Sequence, residues 1–191
     1  MRRPVLHTRS LPRRARGFTL IELLVGVCIL GVLMMVGVPS FNDAMLGQKL
    51  SGMTNSFSAS AQIARSEAIK RNSTAAAPLK MCRSADGVNC ASSGGWEQGW
   101  IIFNDLDNDG VLDSNETLIY KQAALANGYY LTGDTYSLTF VGTGVTSDNT
   151  ARTFKVCRFS PSAGSQDRSV AVSVTGRITI TTNHTGTCAS A

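Results

Sequence analysis

The chain has 191 residues, 18 Lys and Arg, 13 Asp and Glu, and a formal net charge of +5. That is room for one domain with a sizeable core, but not comfortably for two. The positive excess is concentrated: Arg2, Arg3, Arg9, Arg13, Arg14 and Arg16 precede Gly17 with no acid among them, and the remainder carries 12 cations against 13 acids. The total charge alone would suggest a binder of nucleic acid or an anionic surface; here it describes a basic leader. With only two histidines, His7 and His184, and no nucleophile motif or phosphate loop, the chain reads as a non-enzyme.

After the leader come Gly17-Phe18-Thr19-Leu20-Ile21-Glu22 and an uncharged run from Leu23 to Val38. As a helix, residues 18–38 are long enough to cross a hydrocarbon core of about 30 Å. The basic residues ahead of the run predict a cytoplasmic leader and an exported C-terminal part. The run is too long for a secretory signal and no small-residue cleavage site follows it, so it reads as a retained membrane helix. Glu22 is the anomaly, because a carboxylate in an apolar span marks a functional position. A cut after Gly17 would place the amine of Phe18 one helical turn from Glu22, to pair within the chain or with a neighbour in a helix bundle. The plainer alternative is a carboxylate that snorkels to the membrane surface.

The helical period continues beyond the membrane run. Leu46, Leu50, Met53, Phe57, Ala61, Ala64 and Ala68 recur in steps of three and four, a packing stripe with polar residues on the other faces. Pro78 and the onset of β patterning set the helix end near Asn72. The segments are a leader (1–17), a membrane helix (18–38), its periplasmic continuation (39–75) and a β-rich globular part (76–191). From about Leu79, short β segments follow at Trp100–Phe103, Leu118–Lys121, Tyr136–Val141 and Phe154–Phe159. Ser169–Val174 and Arg177–Thr181, alternating on either side of Thr175-Gly176, read as a hairpin. The class is α+β, one long N-terminal helix packed on antiparallel sheet.

Cys28 lies in the membrane run and reads as a buried hydrophobe. Cys82, Cys90, Cys157 and Cys188 are an even set in an exported part and allow three pairings. The local one, Cys82 with Cys90 and Cys157 with Cys188, would close a short polar loop and tie the tail to a core strand. A zinc site has little to offer, with no C-x-x-C and only His184 to join.

Two charged features remain. Asp105, Asp107, Asp109, Val111 and Glu116, with Gly110, follow the spacing of a calcium loop. The preceding strand-like segment and the turn-forming Asp, Asn and Gly favour a solvated strand-to-strand loop instead. Between Met81 and Phe140 two cations face eight acids, whereas beyond Val141 five cations, Arg177, Arg158 and Arg168 among them, face two. Such polarity could meet phosphates or oppositely charged neighbouring subunits.

Gly17-Phe18-Thr19-Leu20-Ile21-Glu22-Leu23-Leu24-Val25 resembles the class III signal of type IV pilins and pseudopilins, with Pro39 where these proteins often carry a helix-disturbing proline. The resemblance implies cleavage after Gly17 by a prepilin peptidase, N-methylation of Phe18, and subunit docking through Glu22. Gly99-Trp100-Ile101-Ile102-Phe103-Asn104-Asp105, Glu116-Thr117-Leu118-Ile119-Tyr120 and Ser173-Val174-Thr175-Gly176-Arg177-Ile178 look like the GspH/FimT family of minor pilins and pseudopilins. That implies a subunit that primes or caps a type IV pilus or a type II secretion pseudopilus. It would be anchored in the bacterial inner membrane with its globular part in the periplasm, alongside other pilins and without a cofactor. In some members of the family a Gly-Arg-x-Arg pattern contributes to DNA binding during uptake. Here Gly176 and Arg177 match it, and Thr179 stands in place of the second arginine.

Overall fold

The computed structural model describes residues 17–189; the basic leader before Gly17 lies outside them. Two compact units divide between Phe41 and Asn42, and one helix, α1 (Leu20–Arg71), contributes to both.

In the first unit every described residue is exposed. Its stretch of α1 is apolar on all faces, with a mean hydropathy of 2.6 over 18 residues and none of them buried. A helix of that composition and length can cross a membrane. Pro39 removes one backbone donor, yet α1 continues through it, and the Ser40 hydroxyl donates to the Val36 carbonyl.

In the second unit α1 is amphipathic. Leu46, Leu50, Phe57, Ala61, Ala64 and Ala68 are buried, the stripe that the helical period picks out. Thr54 and Ser60 on the same side return their hydroxyls to the Leu50 and Ser56 carbonyls, which satisfies them without partners elsewhere. The helix stops at Arg71, short of the segment boundary at 75, because Asn72 takes φ 52°, the left-handed conformation that ends helices.

Eight strands follow: β1 (Leu79–Arg83), β2 (Trp100–Asn104), β3 (Leu118–Gln122), β4 (Tyr129–Gly133), β5 (Ser137–Phe140), β6 (Arg152–Arg158), β7 (Asp167–Val172) and β8 (Ile178–Asn183). They form two four-stranded antiparallel sheets, ordered β3-β2-β1-β5 and β4-β6-β7-β8. The long helix packed on antiparallel sheet is the expected architecture, with the strands divided into two sheets. β1 and β4 were not separately foreseen, since both are five-residue segments whose partners are distant in sequence. The β7–β8 connection is also longer than a Thr175-Gly176 turn. β7 stops at Val172, and the Ser173 hydroxyl accepts the Arg177 N–H while Ser173 N–H donates to the Arg177 carbonyl. Gly176, at φ 72°, supplies the positive φ that this loop needs.

The inward residues of both sheets meet α1 in one core. Met81, Trp100, Ile102 and Phe140 come from the first sheet, and Leu131, Phe154, Val156 and Val170 from the second. The Phe57 ring sits 5.3 Å from Trp96, 5.4 Å from Trp100 and 4.6 Å from Phe154, mostly edge-on, as aromatic quadrupoles favour. The outer face of β1 and β2 is covered too. Cys82, Ile101 and Phe103 pack there with Cys90 and Leu112, so β1 is buried on both faces.

Two disulfides are present, Cys82–Cys90 and Cys157–Cys188. Cys28 is free and exposed on the apolar part of α1.

The tail after β8 is held by Asp167, 2% exposed. Burial alone would raise its carboxyl, but the Thr185 hydroxyl and N–H, the Asn183 amide and the Lys155 ammonium outweigh that and hold it below the usual carboxylate range. A carboxyl depressed in the folded state contributes stability that is complete above its unfolded value, about 3.9, and is lost as pH falls through the folded one. Urea unfolding should therefore show stability falling below about pH 4. Asp167→Asn should be less stable at pH 6 by about 1–2 kcal/mol and should lose less on acidification. An unchanged acid limb in that variant would remove Asp167 from the explanation.

Candidate functional site

The start of α1 is built by a reciprocal cap. The Glu22 carboxylate accepts the Thr19 N–H and the Thr19 hydroxyl, both at 2.9 Å, and the Thr19 hydroxyl accepts the Glu22 N–H at 3.3 Å. This is a capping box, Thr at the cap and Glu three residues on, which satisfies orphan donors of the first turn. The spacing Thr-x-x-Glu carries the signal for this cap in the sequence, and it adds Thr19 to the residues of the site. Gly17 and Phe18 precede the helix without regular secondary structure, and Phe18 is 87% exposed. Phe18, Ile21, Glu22, Val25, Gly26 and Ile29 line one shallow, almost wholly apolar groove. Glu22 is the only acidic or basic side chain on the helix from Leu20 to Phe41. Chemically, the site offers one carboxylate, one turn into an apolar helix, held by donors of its own chain.

The acidic loop lies between β2 and β3. Carboxylate oxygens of Asp105, Asp107 and Asp109 come within 4.8 Å of one another, and several of them also serve the loop's own backbone. Asp105, fully buried, pairs with the ammonium of Lys80 and accepts the N–H groups of Asp109 and Gly110. Asp107 accepts a further bond from Asp109 N–H, and Asp109 accepts Val111 N–H. Both oxygens of Glu116 close the loop, on the N–H groups of Leu106 and Asp113. Asn108 and Gly110 take φ 60° and 82°, as tight Asx-rich turns require. The cation at Asp105 is thus supplied by the chain itself. Lys80 projects from the outer face of β1, and a calcium ion bound through Asp105 would have to displace it.

Arg158, Arg168 and Arg177 of the basic C-terminal region are not gathered into one surface. Arg168 on β7 reaches the Thr182 and Ser51 hydroxyls, and Arg158 at the end of β6 donates to the Ser162 carbonyl. Arg177 is exposed in the β7–β8 loop at the far end of the hairpin from Arg168, about 13 Å along the strand from Arg168 to Val172 alone. Arg177 instead shares a cleft of about 430 Å³ with Gln62, Arg65 and Ser66 of α1, where the Arg65 side chain donates to the Gly144 carbonyl at 2.8 Å.

Comparison with known proteins bears on this geometry. The fold is similar to that of the type IV minor pilin FimU of Pseudomonas aeruginosa, at 23% identity, a TM-score of 0.51 and coverage of 70% of this chain and 89% of that one. The minor pseudopilin EpsH of the Vibrio cholerae type 2 secretion system is matched more loosely, at 13% identity and a TM-score of 0.47, over 70% of this chain and 96% of that one. No curated protein matches the chain in sequence. The prokaryotic N-terminal methylation motif matches residues 12–38, and the family model of the type II transport protein GspH matches residues 53–176. The chain therefore belongs to the GspH family.

Proposed function

We propose that this protein is a minor subunit of a type II secretion pseudopilus or a type IV pilus, priming or capping the filament rather than forming its shaft. The observation that carries the reading is the single carboxylate, Glu22, one turn into a helix that is apolar and exposed on every face through Phe41. Such a helix has to be covered by lipid before assembly and by sister helices after it. The leader would stay in the cytoplasm, α1 would hold the protein in the inner membrane, and the β-rich unit would lie in the periplasm. A prepilin peptidase would cut after Gly17 and free the Phe18 amine. Until then the Thr19 donors satisfy Glu22; afterwards the amine of an adjacent subunit becomes a charged partner for it in a medium where an unpaired charge is costly. The role is structural. A DNA-binding role in uptake has less support, because Arg177 stands apart from Arg158 and Arg168.

The cap dictates the test. Glu22→Ala would remove the helix cap together with the charge, whereas glutamine can still complete a capping box without a charge. Glu22→Gln is expected to leave insertion and leader cleavage intact. Its incorporation into filaments, measured as the processed protein that sediments with them, should fall by about tenfold or more. Wild-type incorporation of Glu22→Gln would refute charge pairing as the docking interaction.

A further inference from the structure

Arg83 ends β1 and is 4% exposed. Its guanidinium carries five N–H donors in one plane. Nε donates to the Ala91 carbonyl at 3.0 Å and Nη1 to the Gly94 carbonyl, while the Tyr136 ring covers one face at 3.8 Å. None of these partners is charged. Among the described residues no carboxylate lies within 4.0 Å of Arg83, and three of its N–H groups make no hydrogen bond there. The same side chain lines a cleft of about 600 Å³ with Ser92, Ser93, Asp134 and Thr135. Every other buried cation of this unit has an acid: Lys80, the only one, has Asp105. A buried guanidinium with an open edge on a polar cleft lacks an anion.

The position is fixed in advance. Arg83 N–H donates to the Tyr136 carbonyl and Ala91 N–H to the Arg83 carbonyl, and the Cys82–Cys90 disulfide anchors the loop just before Ala91. The hydroxyls of Ser92 and Ser93 make no hydrogen bond within the described residues and stand at the cleft as further donors. Asp134 is exposed and accepts Thr153 N–H at 3.4 Å. With Arg83 it makes the formal charge of the cleft zero, so one negative charge on a ligand can sit on Arg83, and a second meets Asp134 with no further cation to balance it.

We propose that this cleft is a carboxylate-binding recess. Arg83 grips the carboxylate through the free edge of its guanidinium, a planar fork that matches two oxygens. In the filament the carboxylate is an acidic side chain of an adjacent subunit. The recess stands independently of the filament reading; its occupant rests on it.

The test uses the full chain, ¹⁵N-labelled in detergent micelles, titrated at pH 7 and constant ionic strength with sodium acetate, sodium phosphate or sodium chloride. Acetate is expected to shift the Arg83 Nε–H and the Ser92, Ser93 and Gly94 amides saturably, with a Kd of about 1–10 mM, and phosphate more weakly. Asp134→Asn should tighten acetate binding about threefold by removing a like charge. Arg83→Gln should abolish it, and Ser93→Leu should do so by filling the cleft while leaving the Arg83 contacts in place. Shifts that chloride reproduces, or that neither Asp134→Asn nor Ser93→Leu alters, would overturn the proposal and leave Arg83 as a brace for the 91–94 loop. Tighter binding of phosphate would overturn the carboxylate assignment. Ser93→Leu should also lower filament incorporation. If acetate binds as expected but incorporation is normal, the neighbouring-subunit occupant falls while the recess stands; the filament reading is tested separately through Glu22→Gln.

Discussion

Phe57→Ala is expected to lower the stability of the unit from Asn42 onward by about 3–5 kcal/mol. The ring is fully buried and bridges α1 to both sheets, in contact with Trp96, Trp100 and Phe154. Its removal opens a cavity where α1 and both sheets meet, and collapse would require moving two tryptophans. The chain has only these two, so guanidinium unfolding followed by their fluorescence reads the site directly. Phe57→Leu, which keeps part of the volume, should recover a substantial share of the loss. A loss below about 1 kcal/mol for alanine would mean that the layers are held together elsewhere.

Asp105→Ala is expected to have an effect of similar size, about 3–5 kcal/mol, for an electrostatic reason. The substitution leaves the Lys80 ammonium uncompensated, its side chain only 10% exposed, and strands the N–H of Gly110, while that of Asp109 keeps Asp107. Asp105→Asn should lose less, since the amide oxygen can still accept from the loop. The double variant Lys80→Met, Asp105→Leu should recover much of the deficit, because the cost lies in the unpaired charge rather than in the loss of the pair. Thermal unfolding of the four proteins side by side decides the matter. Asp105→Ala within about 0.5 kcal/mol of wild type would show that Lys80 reaches water.

How much of this was legible in the sequence follows from how local each signal is. The membrane run and the stripe from Leu46 to Ala68 are written in a 3.6-residue period and need no knowledge of partners. The cap at Thr19 is equally local, but Glu22 drew attention as a charge in an apolar run, and the second role of the same carboxylate was passed over. The two sheets are not local. β1 pairs with β2 across the Cys82–Cys90 loop and with β5 across most of the acidic region, and nothing in the five residues from Leu79 to Arg83 says which partners they take. The acidic loop shows the same limit from the other side. Its spacing fits a cation, and the fold sets the Lys80 ammonium against Asp105. The register that sets Lys80 opposite Phe103, with Leu79 opposite Asn104, brings that side chain to Asp105, and register cannot be read from a loop motif. Arg83 counted in the sequence only as one of two cations in an acidic region; its burial without an acid is a property of the fold.

β8 forms an outer edge of the second sheet. From Ile178 to Asn183 it contains no charge and no proline, and it is mostly exposed. Its free rim is thus a run of Ile and Thr with unpaired backbone groups and none of the gatekeeping residues that keep sheet edges from joining. The consequence is colloidal. Once detergent shields the apolar half of α1, this rim is a place where two copies can pair strand to strand into one continuous sheet.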